Sequence, residues 1–320
     1  MKQTFLTQTD LKVSDICLGT AEYGAGIPQK EAWEQIDHFL EYGGNLIDTA
    51  HIYADWIPGE RASSEHTIGR FLKARGRRHD LVISSKGGHP YLDAMDVSRV
   101  RPECIRKDLE ESLEALQTDY IDLYFLHRDD PNVPVEELLG TLEEARKAGK
   151  IRWYGCSNWT LKRIMEADRA AAREGIPGFV CNQLMWSLAD INRAGVSDHT
   201  LVMMDQETFD YHKSTGKNVM AFTSIAKGYL SKKAAGREIF PSLAAQYDNP
   251  VNDRIIELVQ EAGLPVSEFA LAYLFHQNFR SIPIAAFRTQ DQLESGIKST
   301  ELTVPRELME EISLLKQHSV

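Results

Sequence analysis

Four side chains with acid–base chemistry each stand at or shortly after a short apolar run of the sequence. They are a carboxylic acid, a phenol, an amine and an imidazole, at Asp48, Tyr53, Lys86 and His127. An ammonium close to a phenol favours the phenolate and lowers the pKa of the phenol, and a carboxylate salt bridge would hold that ammonium in place. In one site, these groups could donate and accept protons during a reaction.

Each of these residues also has an ordinary structural interpretation. An Asp after a strand commonly forms a loop or caps a helix, and a Tyr commonly packs with its hydroxyl satisfied. Lys86 precedes two glycines and could be a solvated loop lysine, and His127 could be a hydrogen-bonded core histidine. The functional interpretation therefore depends on whether the fold brings all four residues together.

The elements that would position these residues follow a βα alternation. Short runs rich in Val, Ile and Leu alternate with longer amphipathic segments along almost the whole chain, which is typical of a parallel sheet built from βαβ units. About eight strands are predicted, the number that closes a barrel. They cover residues 15–18, 45–47, 81–84, 121–126, 152–156, 179–181, 218–221 and 281–284.

Two of the intervening helices are clear from their periodicity. Apolar residues recur every three or four positions in 102–116 and again in 135–148, where the pattern ends at Gly149. One face of each helix should pack on the barrel. Weak alternation in residues 1–13 predicts a hairpin that closes the barrel floor. The predicted fold is thus α/β, a single-domain (β/α)8 TIM barrel over residues 1–320 with an N-terminal β-hairpin.

Composition excludes several classes of protein. The chain has 320 residues, 42% of them hydrophobic and 26% charged, which is ordinary globular composition. Its net charge of −11 disfavours nucleic acid and anionic membranes as partners. The four cysteines are widely spaced, so neither a zinc site nor a disulfide framework is predicted. Without a signal-peptide or membrane-helix pattern, we expect a cytoplasmic protein that is mature from Met1.

Three segments closely resemble the signature sequences of the aldo-keto reductases. They are Asn45-Leu-Ile-Asp-Thr-Ala-His-Ile-Tyr53, Leu113-Glu-Ala-Leu-Gln-Thr-Asp-Tyr-Ile-Asp-Leu-Tyr-Phe-Leu-His127 and Ala148-Gly-Lys-Ile-Arg-Trp-Tyr-Gly-Cys-Ser-Asn158. Leu18-Gly-Thr20 and Val82-Ile-Ser-Ser-Lys86 extend the resemblance, which covers nearly the whole chain in order and spacing. It implies an NAD(P)H-dependent oxidoreductase that transfers hydride between the nicotinamide and a carbonyl or alcohol.

The resemblance places Asp48, Tyr53, Lys86 and His127 at the four catalytic positions. Hydride transfer to a carbonyl leaves negative charge on its oxygen, so the site needs a proton donor and hydrogen bonds aimed there. Tyr53 would donate the proton, Lys86 would lower the pKa of Tyr53, Asp48 would hold Lys86, and His127 would orient the carbonyl. No metal is required.

The resemblance also assigns the cofactor site. Ser157, Asn158 and Gln183 would bind the carboxamide, and Phe222 would stack on the nicotinamide ring where family members commonly have Tyr. NADP(H) is favoured over NAD(H), the alternative, because Arg288 would contact the 2′-phosphate that only NADP(H) carries. Arg288 could also be a solvated residue at the start of a helix. The predicted set is Gly19, Thr20, Ser157, Asn158, Gln183, Phe222, Thr223, Ser224, Ile225, Ala226, Lys227, Gly228, Ala286, Arg288 and Gln292.

The long polar loop after Tyr53 suggests the substrate. It carries Trp56 among several hydrogen-bonding residues, an arrangement suited to a polyhydroxylated or keto-sugar, although Trp56 could simply anchor the loop. The predicted substrate-binding residues are Trp56, His89, Arg128, Trp159 and Trp186.

Two other functions are compatible with the sequence, and the sequence does not determine the oligomeric state. The first is a Schiff-base lyase or aldolase in which Lys86 attacks a carbonyl, but a salt bridge to Asp48 would raise the pKa of Lys86 and oppose this. The second is a non-catalytic, cofactor-binding redox-sensor subunit, which the retention of all four catalytic residues disfavours. The predicted partner is a small carbonyl or alcohol.

Overall fold

The computed structural model of the protein describes residues 1–317, and within them eight parallel strands form a closed barrel preceded by a two-stranded sheet. The first sheet consists of β1 (Gln3–Phe5) and β2 (Lys12–Ser14). The barrel consists of β3 (Cys17–Gly19), β4 (Leu46–Asp48), β5 (Val82–Gly87), β6 (Ile121–Leu126), β7 (Ile151–Ser157), β8 (Cys181–Met185), β9 (Asn218–Phe222) and β10 (Ser281–Ala285), in the order β10-β3-β4-β5-β6-β7-β8-β9. The predicted α/β class and (β/α)8 barrel are confirmed.

The helices of residues 1–317 lie mainly between successive barrel strands. They are α1 (Gln29–Glu41), α2 (Ser63–Arg75), α3 (Pro102–Leu116), α4 (Val135–Lys147), α5 (Leu161–Glu174), α6 (Gln206–Thr215), α7 (Tyr229–Ala234), α8 (Pro241–Tyr247), α9 (Pro250–Glu261), α10 (Val266–Phe275), α11 (Gln290–Lys298) and α12 (Arg306–Gln317). The predicted helix 102–116 is confirmed, and its apolar stripe from Ile105 to Leu116 is buried. No helix of this described part of the chain is long and apolar enough to cross a membrane.

The chain divides into two compact units, with the boundary inside β8. The first unit spans Met1–Gln183, and the second begins at Leu184. In the first, parallel pairing places Asp48 of β4 beside Ser84 of β5. In the second, β9 pairs with β10, and the core packs around buried aromatic side chains such as Trp186. The single-domain organisation stays a prediction.

The N-terminal hairpin is confirmed and lies at the amino ends of the barrel strands in the first unit. β1 and β2 pair antiparallel. The side chain of Asn45, directly before β4, donates to the Lys12 carbonyl and accepts from the Ser14 backbone N–H. Asp10 accepts from Arg152 and Trp153 near the start of β7. These contacts place the hairpin on the barrel floor.

Two strands extend well beyond their predicted ends, while the other strand boundaries differ from the prediction by at most two residues. The predicted strand 81–84 extends to Gly87, so Ser85 and Lys86 lie within β5 and are fully buried. The predicted strand 179–181 is wrong in position because β8 begins only at Cys181. In both cases the prediction ends the strand at polar residues, whereas the barrel supplies buried hydrogen-bond partners that let the strand continue.

Candidate active site

Asp48, Tyr53 and Lys86 meet directly in the first unit. The Lys86 Nζ donates to Asp48 Oδ2 at 2.7 Å, to the Thr49 carbonyl at 2.7 Å and to the Tyr53 hydroxyl at 3.1 Å. The Tyr53 hydroxyl also lies 3.5 Å from Asp48 Oδ2. The His127 ring lies 5.9 Å from the Tyr53 ring, centroid to centroid. The four residues predicted to be catalytic therefore lie together, and we call them the tetrad.

Three neighbouring strands of the first unit deliver the tetrad. Asp48 is the last residue of β4, and a tight turn closed by the Tyr53 N–H to the Ala50 carbonyl presents the phenol. Lys86 lies near the end of β5, and His127 directly follows β6 with its N–H bonded to the Gly87 carbonyl. Parallel strands place their carboxyl ends at the same edge of a barrel, which is where barrel enzymes carry their sites.

The second oxygen of Asp48 is also fully occupied. Asp48 Oδ1 accepts from the Ser84 hydroxyl at 2.5 Å and from Gln183 Nε2 at 2.9 Å. The resemblance assigns Gln183 to the nicotinamide carboxamide, and in the structure its amide nitrogen donates to Asp48. Ser84 was missed, although its position two residues before Lys86 puts both side chains on one face of the strand.

Burial and charge pull the pKa values of the tetrad in different directions. Burial is the largest single influence on Lys86 and favours its neutral form, but Asp48 and Tyr53 together, through charge and hydrogen bonds, outweigh it and hold the pKa of Lys86 above its ordinary value. Burial raises the pKa of Tyr53, and Lys86 only partly opposes this. Lys86 thus acts in the predicted direction without producing the predicted net lowering. Burial, with His89 and Arg128 nearby, lowers the pKa of His127 well below its usual range, so its imidazole is neutral at pH 7.

Two residues assigned to the carboxamide flank the tetrad at the end of β7. Ser157 and Asn158 are both buried. Asn158 adopts a left-handed backbone conformation with φ of 60°, which Asn tolerates better than most residues. Its Nδ2 donates to the His127 carbonyl at 3.3 Å and to the Ser157 hydroxyl at 3.1 Å.

At β3, Thr20 donates to the Asp48 carbonyl at 2.8 Å, and Gly19 pairs with Asp48. These two residues, both in the predicted cofactor set, therefore support the backbone of Asp48.

The residues predicted to bind substrate in the first unit separate into two groups. Trp56 is 47% exposed and its ring lies 6.0 Å from that of Tyr53, while the His89 ring lies 4.8 Å from that of His127. These two residues border the tetrad. Trp159 is buried, donates to the Arg128 carbonyl and packs on Phe179, so it is part of the core.

The second unit holds the remaining predicted residues. Its candidate loop over Phe222–Gly228 has three non-glycine residues at positive φ, Thr223, Ala226 and Lys227, and the Ser224 hydroxyl donates to the Ile284 carbonyl at 2.6 Å. Gln292 accepts from the Arg288 N–H at 2.8 Å, at the start of α11. Ala286 directly follows β10.

Trp186 lies in the aromatic core of this second unit rather than on an open surface. Its ring stacks on Phe279 at 5.9 Å and meets Phe209 and Tyr273 edge-on. It also lines a cavity of about 1190 Å³, whose lining residues, among them Lys316, all belong to the second unit. The tetrad residues do not line this cavity.

One cluster near the tetrad has side chains of the types that bind metal ions. Ligand atoms of His51, Asp108 and Glu111 all lie within 4.8 Å of one another. Asp108 is already paired with Arg99, and Glu111 lies 3.6 Å from the ammonium of Lys107. Bound protein cations compete with a metal for these carboxylates, so the geometry does not favour a metal here.

An eight-stranded parallel barrel with a Tyr–Lys–Asp–His cluster at its strand ends defines a barrel enzyme with acid–base chemistry. The sequence model of the Aldo/keto reductase family matches residues 15–316. The chain belongs to the aldo/keto reductase family and is an oxidoreductase of that family.

Individual relatives agree with this assignment over most of their length. The chain is 29% identical to the uncharacterized oxidoreductase YrpG of Bacillus subtilis, over 97% of this chain and 94% of that protein. It is 27% identical to the norsolorinic acid reductase stcV of Emericella nidulans, over 94% and 78%. The solved structure of the aldo-keto reductase AKR11C1 from Bacillus halodurans, in its holo form, matches with a TM-score of 0.78 and 26% identity, over 100% of this chain and 98% of that one.

Proposed function

We propose that the protein is an NAD(P)H-dependent reductase that interconverts a small carbonyl compound and its alcohol, with the tetrad as its catalytic residues. The observation that carries the proposal is the Lys86 ammonium, which lies 3.1 Å from the Tyr53 hydroxyl and 2.7 Å from Asp48. A bound nicotinamide would supply or accept the hydride. The chain's own residues then have to handle one proton and the charge on one oxygen.

Tyr53 is the proton donor in the reductive direction. Burial raises its pKa, so the phenol keeps its proton at neutral pH until negative charge develops on the substrate oxygen. When the proton leaves, the Lys86 ammonium stabilises the phenolate, and Asp48 keeps that ammonium charged and in place. Neutral His127 orients the carbonyl through one ring N–H. An ammonium held this way is a poor nucleophile, which disfavours the Schiff-base alternative.

The chemistry of the residues suits the proposed cofactor. In the first unit, Ser157, Asn158 and Gln183 offer a buried hydroxyl and two buried amides, the groups that match a carboxamide. In the second unit, Arg288 at the start of α11 offers a planar guanidinium for a phosphate. NADP(H) is therefore the proposed cofactor, with NAD(H) as the alternative.

A fluorescence titration with NADPH and NADH, followed by a panel of carbonyl substrates, tests the proposal. We expect saturable binding of NADPH at lower concentration than NADH, and cofactor oxidation with at least one carbonyl. Tyr53→Phe should bind the cofactor as the wild type does but lose at least about 10²-fold in turnover, because it cannot donate the proton. No binding of either nucleotide, or an active Tyr53→Phe variant, would overturn the proposal.

For the substrate we propose a polyhydroxylated or keto-sugar, because half-exposed Trp56 offers a flat apolar surface beside Tyr53. The name of one relative, an aryl-alcohol dehydrogenase of Pestalotiopsis microspora, favours an aryl alcohol and its carbonyl as the second candidate. Trp56 would stack on either. Comparison of kcat/KM for sugars, aromatic aldehydes and aliphatic aldehydes decides between them, and preference for apolar aldehydes would rule out the sugar.

A further inference from the structure

Asp48 is held on both of its carboxylate oxygens, and the two oxygens have different partners. Oδ2 faces Lys86 and Tyr53, whereas Oδ1 accepts from Ser84 at 2.5 Å and from Gln183 at 2.9 Å. Ser84 and Gln183 are 0% and 1% exposed. A planar carboxylate with hydrogen-bond donors on both oxygens cannot rotate freely. The donors on Oδ1 therefore help to set the direction in which Oδ2 points.

We propose that Ser84 is a positioning residue for the reaction, which fixes the Asp48 carboxylate and takes up part of its charge so that the Lys86 ammonium stays directed at Tyr53. This inference rests on the proposed function. Each of the three Lys86 contacts uses one ammonium hydrogen, on Asp48 Oδ2, the Thr49 carbonyl and the Tyr53 hydroxyl. A rotated Asp48 would therefore draw Lys86 away from Tyr53.

The neighbouring serine provides a matched control within the same strand. Ser85 is as fully buried as Ser84, but it points to the opposite face of β5, where its hydroxyl donates to Glu65 of α2 at 2.5 Å. Both serines thus lose a buried hydrogen bond to a carboxylate when changed to alanine. Only Ser84 is connected to Asp48, so a purely structural role predicts the same behaviour for both variants.

The direction of the expected change follows from the charges. Asp48 raises the pKa of Tyr53, because a negative charge opposes formation of the phenolate. Without the Ser84 hydroxyl, less of the Asp48 charge is taken up, and the pKa of Tyr53 rises further. Reduction needs protonated Tyr53 and is lost as pH rises through that pKa, so the alkaline limb of its pH profile should move to higher pH.

The test compares wild type, Ser84→Ala, Ser84→Thr and Ser85→Ala. For Ser84→Ala we expect kcat to fall about tenfold, because Lys86 and Tyr53 lose their alignment, with the cofactor Kd unchanged and the alkaline limb moved to higher pH. Ser84→Thr keeps the hydroxyl and should restore both. Ser85→Ala should show a wild-type profile even if its melting temperature falls. Identical kcat and pH profiles for Ser84→Ala and Ser85→Ala would overturn the inference.

A second readout separates this inference from the proposed function. NMR titration of protein labelled with 13Cζ-tyrosine reports the Tyr53 pKa without turnover, and Tyr53→Phe assigns its resonance. A higher Tyr53 pKa in Ser84→Ala but not in Ser85→Ala supports the link from Ser84 through Asp48 even if no carbonyl is reduced, in which case only the proposed function fails. An unchanged Tyr53 pKa in an active enzyme overturns the positioning role alone.

Discussion

Two buried carboxyl groups lie on opposite faces of strand β5, and each accepts a hydrogen bond from one of two consecutive serines of that strand. The Asp48 carboxylate accepts hydrogen bonds from Ser84 and from the amide of Gln183 in β8, so this carboxylate lies in the barrel interior. Glu65 accepts from Ser85 in the layer between the barrel and α2. Both carboxyl groups are almost completely buried, at 1% and 0% exposure.

The two sites differ in the charge that accompanies the carboxyl group. Asp48 is paired with the Lys86 ammonium at 2.7 Å, whereas no ion pair of Glu65 occurs within residues 1–317. Burial raises the pKa of Glu65, and the Ser85 hydrogen bond only partly opposes it. The comparison indicates that the Lys86 ammonium, rather than burial or a serine hydrogen bond, distinguishes the environment of Asp48 from that of Glu65.

The largest expected effect comes from removing that ammonium. Lys86→Met should lower turnover by about 10² to 10⁴-fold, because Tyr53 loses the charge that stabilises its phenolate. It should also lower the free energy of unfolding by about 3–5 kcal/mol, because Asp48 becomes an uncompensated buried charge. Carbonyl-reduction kinetics and urea unfolding at pH 7 measure the two effects.

The double variant Lys86→Met with Asp48→Asn is the control for this prediction. Removing both charges should restore most of the lost stability while turnover stays low. A single Lys86→Met variant as stable as the wild type would contradict the prediction that Lys86 compensates a buried charge on Asp48.

Sequence alone could predict the barrel and the tetrad because both depend on patterns that run along the chain. Alternation of apolar runs and amphipathic helices indicated the strands, and Asp48, Lys86 and His127 each lie at the end of one of them. Ser84 was missed because strand β5 was predicted to end there. A barrel interior supplies polar partners to strand residues, and a single sequence does not show which partners they are.

The contacts that could not be predicted join residues far apart in the chain. Gln183 lies 135 residues from Asp48, and its hydrogen bond to that carboxylate exists only once the barrel has formed. Trp159 and Trp186 follow strand ends just as Trp56 follows Tyr53, and yet both are buried while Trp56 is 47% exposed. Residue type and position after a strand do not tell a core tryptophan from an exposed one.

A smaller effect is expected in the pH dependence of stability, and it comes from Glu65. Its raised pKa means that the folded protein holds a proton that the unfolded chain releases near its ordinary pKa of 4.5. The contribution of this bound proton to the free energy of unfolding is present below pH 4.5 and is lost as the pH rises through the pKa of Glu65 in the folded protein. As the pH is raised from 4.5 to 8, the wild type should therefore lose free energy of unfolding relative to Glu65→Gln.

Urea unfolding of both proteins across this pH range measures the difference. The glutamine keeps an oxygen that can accept from Ser85, so the variant changes the charge with little change of shape. Parallel stability curves for the two proteins would show that Glu65 titrates alike in the folded and unfolded chain, and its contrast with Asp48 would disappear.

The smallest expected effect concerns Tyr124, which pairs with Ser85 across β5 and β6. Within residues 1–317 its buried hydroxyl has no hydrogen-bond partner, and burial together with Asp108 and Glu65 raises its pKa. Removing an unsatisfied buried hydroxyl relieves a desolvation cost, so Tyr124→Phe should change the free energy of unfolding by less than about 1 kcal/mol, and toward greater stability. A fall of more than about 2 kcal/mol in the free energy of unfolding, measured in urea, would mean that this hydroxyl has a hydrogen-bond partner. The face of β5 around Glu65 would then be as fully hydrogen-bonded as the face that holds Asp48.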